Sequence, residues 1–135
     1  MLQLIGEQVI PWNFPFLMLC WKIAPAIAMG NRITLLASHP FPLVATDFYQ
    51  VLDTSDVPAG VVNILTGSPS ELATHIAKHM DIDAVWSFSP LNLAQTIEAG
   101  SALNLKRTWI TQSPTMKNTL RAATEVKNVW VPYGE

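Results

Sequence analysis

An α/β fold with an open, largely parallel sheet is the class this 135-residue sequence predicts, and three observations predict it. Short β-branched runs alternate with helical patterns along the chain. The runs begin near residues 8, 32, 61, 83 and 107, so each connection has room for a helix; parallel pairing through right-handed crossovers follows. Half of the residues are hydrophobic and only 13% are charged. A chain of this length buries about 70% of its unfolded surface, which is enough for one core.

The first strand is expected at residues 8–10, and a helix from there to Met29. Gly30 and Asn31 stop that helix, being residue types suited to a left-handed cap. Residues 32–36 form the second run, and a helix begins near Pro42 with Val44, Phe48, Val51 and Leu52 at helical spacing. The turn Pro58-Ala59-Gly60 leads into the third run, residues 61–65. Ser68-Pro69-Ser70-Glu71 then sets a capping Ser, a Pro at the first helical position and a Glu three residues after the cap. Leu72, Ile76 and Met80 line one face of that helix. Residues 83–88 are the fourth run. Ser89-Pro90 repeats the cap-then-proline device, and Leu93 and Ile97 carry a helix towards Leu103. Residues 107–111 are the fifth. A short helix over 116–124 and an extended segment over 126–132 lie outside the repeat.

Eight basic against ten acidic residues give a net charge of −2, which supplies no field for a phosphate backbone and argues against nucleic acid as a partner. The single cysteine, Cys20, excludes an internal disulfide framework and a Cys-rich zinc site. The first residues lack a secretory pattern, so a reducing, cytoplasmic setting is expected. Residues 14–29 are apolar except for Lys22, but the run is shorter than the roughly 20 residues of a spanning helix, so no membrane is expected as a partner. The low charge fraction predicts that part of the surface meets a protein partner. His75 and His79 stand four apart, yet Ile76 occupies the place a metalloprotease gives to Glu; no metal site is expected. Of the five Trp residues, Trp130 is the one placed by the tail at a candidate interface.

Specific residues go further than periodicity. Val9-Ile10-Pro11-Trp12-Asn13-Phe14-Pro15, followed by Leu17-Met18-Leu19-Cys20-Trp21-Lys22-Ile23-Ala24-Pro25-Ala26-Ile27-Ala28-Met29-Gly30-Asn31, closely resembles the start of the cofactor domain of aldehyde dehydrogenases. Pro58-Ala59-Gly60-Val61-Val62-Asn63-Ile64-Leu65-Thr66-Gly67 is a second match. The resemblance implies a five-stranded Rossmann-like sheet with helices on both faces over residues 1–113, and a C-terminal tail over 114–135 with a short helix and an extra strand. It implies that Ile10, Pro11 and Trp12, with Ser38 and Gly67, descend from contacts to NAD(P), and that Asn13 descends from an amide donor to the oxyanion of the aldehyde adduct. A side-chain donor fixed at a strand end is aimed before charge develops.

The departures matter as much. Where the family has Lys-Pro-Ser/Ala-Glu, this chain has Leu36-Ala37-Ser38-His39. The family's Gly-x-Gly becomes Gly67-Ser68-Pro69. Its Phe-Thr-Gly-Ser-Thr becomes Ser87-Phe88-Ser89-Pro90-Leu91, and proline has no N–H for a pyrophosphate. No Glu-Leu-Gly-Gly-Lys motif supplies a general base after the fifth strand, where Trp109-Ile110-Thr111-Gln112-Ser113-Pro114 stands, and the domain that carries the nucleophilic cysteine is absent. Cys20, inside a helix, is expected to be a buried, inert thiol. Residues 120–134 resemble the terminus of the family-sixteen aldehyde dehydrogenases, whose second module is truncated and non-catalytic. The expectation is a non-catalytic module, inactive as this chain alone, with no NAD(P) or only weak binding. Its role would be scaffold, dimerisation or regulation, as a homo-oligomer or beside a catalytic aldehyde dehydrogenase module. The alternative is the NAD(P)-binding part of a working aldehyde dehydrogenase. If the pocket survives, Leu36→Lys with His39→Glu restores affinity.

Overall fold

A computed structural model describes residues 2–5, 15–111 and 116–126. Its strands are β1 (Leu2–Ile5), β2 (Ile33–Leu36), β3 (Val62–Leu65), β4 (Ala84–Ser87) and β5 (Arg107–Ile110). The helices are α1 (Pro15–Ala28), α2 (Pro42–Asp53), α3 (Pro69–Lys78), α4 (Leu91–Ser101) and α5 (Met116–Ala122), with a 3-10 turn at Ala102–Asn104. β2 pairs with β3 and β4 with β5, both parallel. The backbone of β1 runs parallel between β2 and β4, giving the order β3-β2-β1-β4-β5. The α/β class holds.

Alternation along the strands sorts the core into two clusters. Ile33 and Leu35 of β2 and Ala84 and Trp86 of β4 face Leu19, Ile23 and Ala26 of α1 and Ala45 and Phe48 of α2. Leu36 and Val85, one residue along, face Ala73 and Ile76 of α3 and Leu93 and Ile97 of α4. A strand buried on both faces reads as a continuous apolar run, which is why β2 and β4 carry no polar alternation to solvent. Helix α1 presents its stripe at intervals of four and three residues. Its C-terminus closes as expected: Gly30 takes φ +75°, its N–H donates to the Ile27 carbonyl, and the Asn31 N–H donates to the Ala26 carbonyl. That pair of bonds is a Schellman closure.

Several expectations are corrected. The first described strand is Leu2–Ile5, a four-residue run that aligns with both Ile33–Leu36 and Ala84–Ser87; the strand expected at residues 8–10 lies outside the described residues. Val51 is exposed, because Ala45 and Phe48 form the buried line of α2. Helix α3 stops at Lys78, so Met80 is exposed beyond its end and His79 is its C-cap. Leu103 falls in the 3-10 turn and is exposed. Ser68 caps α3 in position, but its hydroxyl pairs with Ser70 instead of a backbone N–H. At α4 the cap is Pro90 itself, not Ser89.

Helix α5 ends two residues sooner than expected and packs on α1. Asn31 Nδ2 donates to the Ala26 carbonyl at 3.1 Å and to the Ala123 carbonyl at 2.9 Å, tying the ends of the two helices together. The expected tail strand and Trp130 lie outside the described residues beyond Val126. The apolar run from residue 14 becomes a 14-residue helix. Among the described residues no helix is long and apolar enough to cross a membrane.

Candidate functional site

In an open α/β sheet, ligands sit beyond the carboxyl ends of the strands, at the point where the strand order reverses. Here that point is flanked by β1 and β4. Ser38 follows β2, Gly67 follows β3, and Ser89 and Pro90 follow β4, so the topology sets these predicted positions at the same end of the sheet. Ile10, Pro11, Trp12 and Asn13 lie outside the described residues.

Several of the described groups at this end are engaged within the chain. Ser87 and Ser89 are 0% and 5% exposed, and their hydroxyls hydrogen-bond to each other. The half-buried Ser38 gives its carbonyl to the Phe41 N–H at 3.2 Å. Pro90, with φ −56° and ψ 156°, fronts α4, and its carbonyl takes both the Leu93 and the Ala94 N–H at 3.1 Å. A helix N-terminus attracts an anion through free N–H groups, and a proline cap brings none. At the start of α3 the Glu71 and Leu72 N–H groups both turn to the Ser68 carbonyl. Glu71 also puts a carboxylate in the first turn, which repels an anion. At Gly67 an added Cβ would lie 2.9 Å from Leu72 Cδ1, so the side chain of α3 already closes over this glycine.

The two replacements after β2 behave differently. His39 is exposed. Leu36 is 1% exposed inside the cluster formed with α3 and α4. Leu36→Lys would therefore place an ammonium among Ile76, Val85 and Leu93, a burial that carries a desolvation cost.

Two buried lysines were not singled out as sites in the sequence. Lys22, 4% exposed on α1, lies over the Phe88 ring with Nζ 4.4 Å from its centre. Burial lowers its pKa to about 8. The signal was available: Lys22 is the one charge in an otherwise apolar helix. Lys106, just before β5, donates to the carbonyls of Ile76, Ala77 and His79 at 3.0, 3.0 and 2.8 Å. It caps the C-terminus of α3 from 30 residues away, and sequence spacing carries no trace of that contact. Burial lowers its pKa, partly opposed by the charge of Asp83. Cys20 is half-buried against the first cluster, and burial pushes its thiol up. His75 and His79 are exposed, and His79 Nδ1 accepts the Asp81 N–H at 3.2 Å.

Comparison with known proteins places this end of the sheet in context. Residues 5–114 match the model of the aldehyde dehydrogenase family. A fission-yeast (Schizosaccharomyces pombe) putative aldehyde dehydrogenase-like protein is 35% identical over 130 residues, covering 94% of this chain and 26% of that protein. The NADP/NAD-dependent aldehyde dehydrogenase PuuC of Escherichia coli is 36% identical over 103 residues, covering 76% and 21%. Among solved structures, an indole-3-acetaldehyde dehydrogenase complexed with NAD+ is 34% identical with a TM-score of 0.72, covering 81% of this chain and 21% of that one. The chain spans about a quarter of the length of the curated relatives it matches over most of its own length.

Proposed function

The chain belongs to the aldehyde dehydrogenase family, and from that premise we propose that it is a non-catalytic module of the family's coenzyme-domain type, acting in the assembly or regulation of a larger dehydrogenase. The observation that carries this reading is Pro90 at the head of α4, beside two serine hydroxyls bonded to each other. The residues present do not fit a dinucleotide: the pyrophosphate would meet a ring without an N–H, and the position that resembles the family's ribose-binding Lys is a core leucine.

In this reading the strands form one five-stranded Rossmann-like sheet over residues 1–113, with 114–135 as its tail. Ile10, Pro11, Trp12, Ser38 and Gly67 are remnants of a coenzyme site, and Asn13 is a vestigial oxyanion donor. The closing residues ally the chain with the truncated second module of the family-sixteen enzymes, in a cytoplasmic setting. Its partner is a second copy or a catalytic module. The match to working dehydrogenases favours one other reading, an NAD(P)-binding part whose remaining domain is supplied elsewhere.

Calorimetric titration of the purified chain with NAD+ and NADP+ separates the two. The first reading predicts no saturable binding at a Kd below about 1 mM, the equivalent of about 4 kcal/mol. Saturation below that concentration establishes the second.

A further inference from the structure

Between the edge strand β5 and helix α5 the surface opens into a cleft of about 500 Å³, within the roughly 300–1,000 Å³ of small-molecule sites. It runs along β4 and β5 from their first residues, Ala84 and Arg107, to their third, Trp86 and Trp109, and none of Ser38, Gly67, Ser89 and Pro90 lines it. Trp86 and Trp109 line it. The Trp109 ring is held edge-on by Trp86 at 5.1 Å and by Phe88 at 5.5 Å, which fixes it as a half-buried platform. The rim is cationic. Arg107 comes from the strand and Arg121 from the helix, with Asn118 beside it, and no carboxylate lines the cleft among the described residues.

The two arginines are not equivalent. Arg107 Nη1 donates to the Thr124 carbonyl at 3.1 Å, and its Nη2 lies 3.8 Å from Glu125 Oε2, so part of its charge is answered. Arg121 is exposed and has no ion pair or hydrogen bond from its guanidinium among the described residues. A guanidinium fork suits a planar oxyanion bidentately, and an aromatic platform suits a flat apolar body. We propose that the cleft between β5 and α5 binds a small aromatic oxyanion, with Arg121 as its main anchor and Trp109 as the surface on which its ring rests.

Three probes of one shape test this on the full chain: 2-naphthoate, 2-naphthyl phosphate and the neutral 2-naphthamide, followed by equilibrium dialysis and tryptophan fluorescence. The proposal predicts saturable binding of at least one anion, with the amide about tenfold weaker or more, as the loss of a charge-assisted bond implies. The stronger of the two anions identifies the headgroup. Arg121→Gln, at an exposed position, is expected to lose about tenfold in anion affinity. Arg32→Gln, at another exposed arginine, is expected to leave it unchanged. Equal binding of amide and anion, unchanged affinity in Arg121→Gln, or no saturation by either anion at several millimolar would overturn the proposal.

Discussion

On one face of the sheet Lys22 lies over the Phe88 ring, and no oxygen partner is found for it among the described residues. On the other, Lys106 donates to three carbonyls at the end of α3. Both ammonium groups are buried, but only the second is a structural cap. A helix leaves its last carbonyls unsatisfied, and Lys106 donates to three of them from the residue before β5. Lys22 instead carries a desolvation cost that a ring face only partly offsets. The α3–α4 face is therefore held by a polar clamp, whereas the α1–α2–α5 face buries a charge with no such return.

The largest expected effect is on the clamp. Lys106→Met leaves the Ala77 carbonyl without its donor, while Ile76 keeps the His79 N–H and His79 keeps the Asn104 amide at 3.3 Å each. It is expected to destabilise the chain by about 2–3 kcal/mol, since a buried unsatisfied group costs about 1–3 kcal/mol and two further bonds are lost. Urea unfolding checks this, and a loss below about 1 kcal/mol would dissolve the contrast between the faces.

Lys22→Met acts in the opposite direction. Its folded-state pKa of about 8 lies below the ordinary 10.5. Between those values the unfolded chain holds a proton that the folded chain has lost, so the wild type gains stability as pH rises through that window. The full penalty applies below pH 8. Lys22→Met is thus expected to stabilise at pH 7, by at most about 3 kcal/mol, and the gain should shrink by pH 10. Unfolding midpoints of both proteins at the two pH values measure it. A gain that is the same at both would show that burial of the charge is not the cause.

A smaller effect sharpens the packing of the clamped face. Gly100 on α4 faces α3 so closely that an added Cβ would lie 2.7 Å from Ala77 Cβ. Gly100→Ala is expected to cost about 1–3 kcal/mol through overpacking, despite better helix propensity. Ala77→Gly in the same chain should return part of it, as a double-mutant cycle would show. The least perturbing test concerns association: with Leu43, Met80, Leu91, Leu103 and Leu105 exposed, the chain is expected to self-associate, and light scattering at high concentration reads that directly, a monomer contradicting it.

The alternation of runs and helices was legible because strands buried on both faces must be apolar throughout and their connecting helices must carry one apolar stripe. Gly30 announced its left-handed turn by being glycine. The ends of helices were less legible. Met80 continued the periodicity of α3 on paper, but the helix stops where the side chain of Lys106 reaches it, and that contact is set by tertiary structure. Ser89 looked like a cap, yet its hydroxyl found Ser87 first. At the candidate site, the loss of an N–H at Pro90 was legible from residue type alone. That Leu36 belongs to the core was not, because its face is fixed by strand register, which a one-residue slip would reverse.

The central claim is that, among the described residues, the carboxyl end of this sheet offers a coenzyme Pro90, a self-bonded serine pair and α3 N–H groups turned to the Ser68 carbonyl in place of a pyrophosphate cradle. The most direct measurement is an amide proton–nitrogen correlation spectrum of the full chain during addition of NAD+ to several millimolar, reading Ser38, Gly67, Ser89 and Leu91. The account predicts that none of the four signals shifts in a saturable way. A common, saturating shift of these amides would show a seated dinucleotide and contradict it.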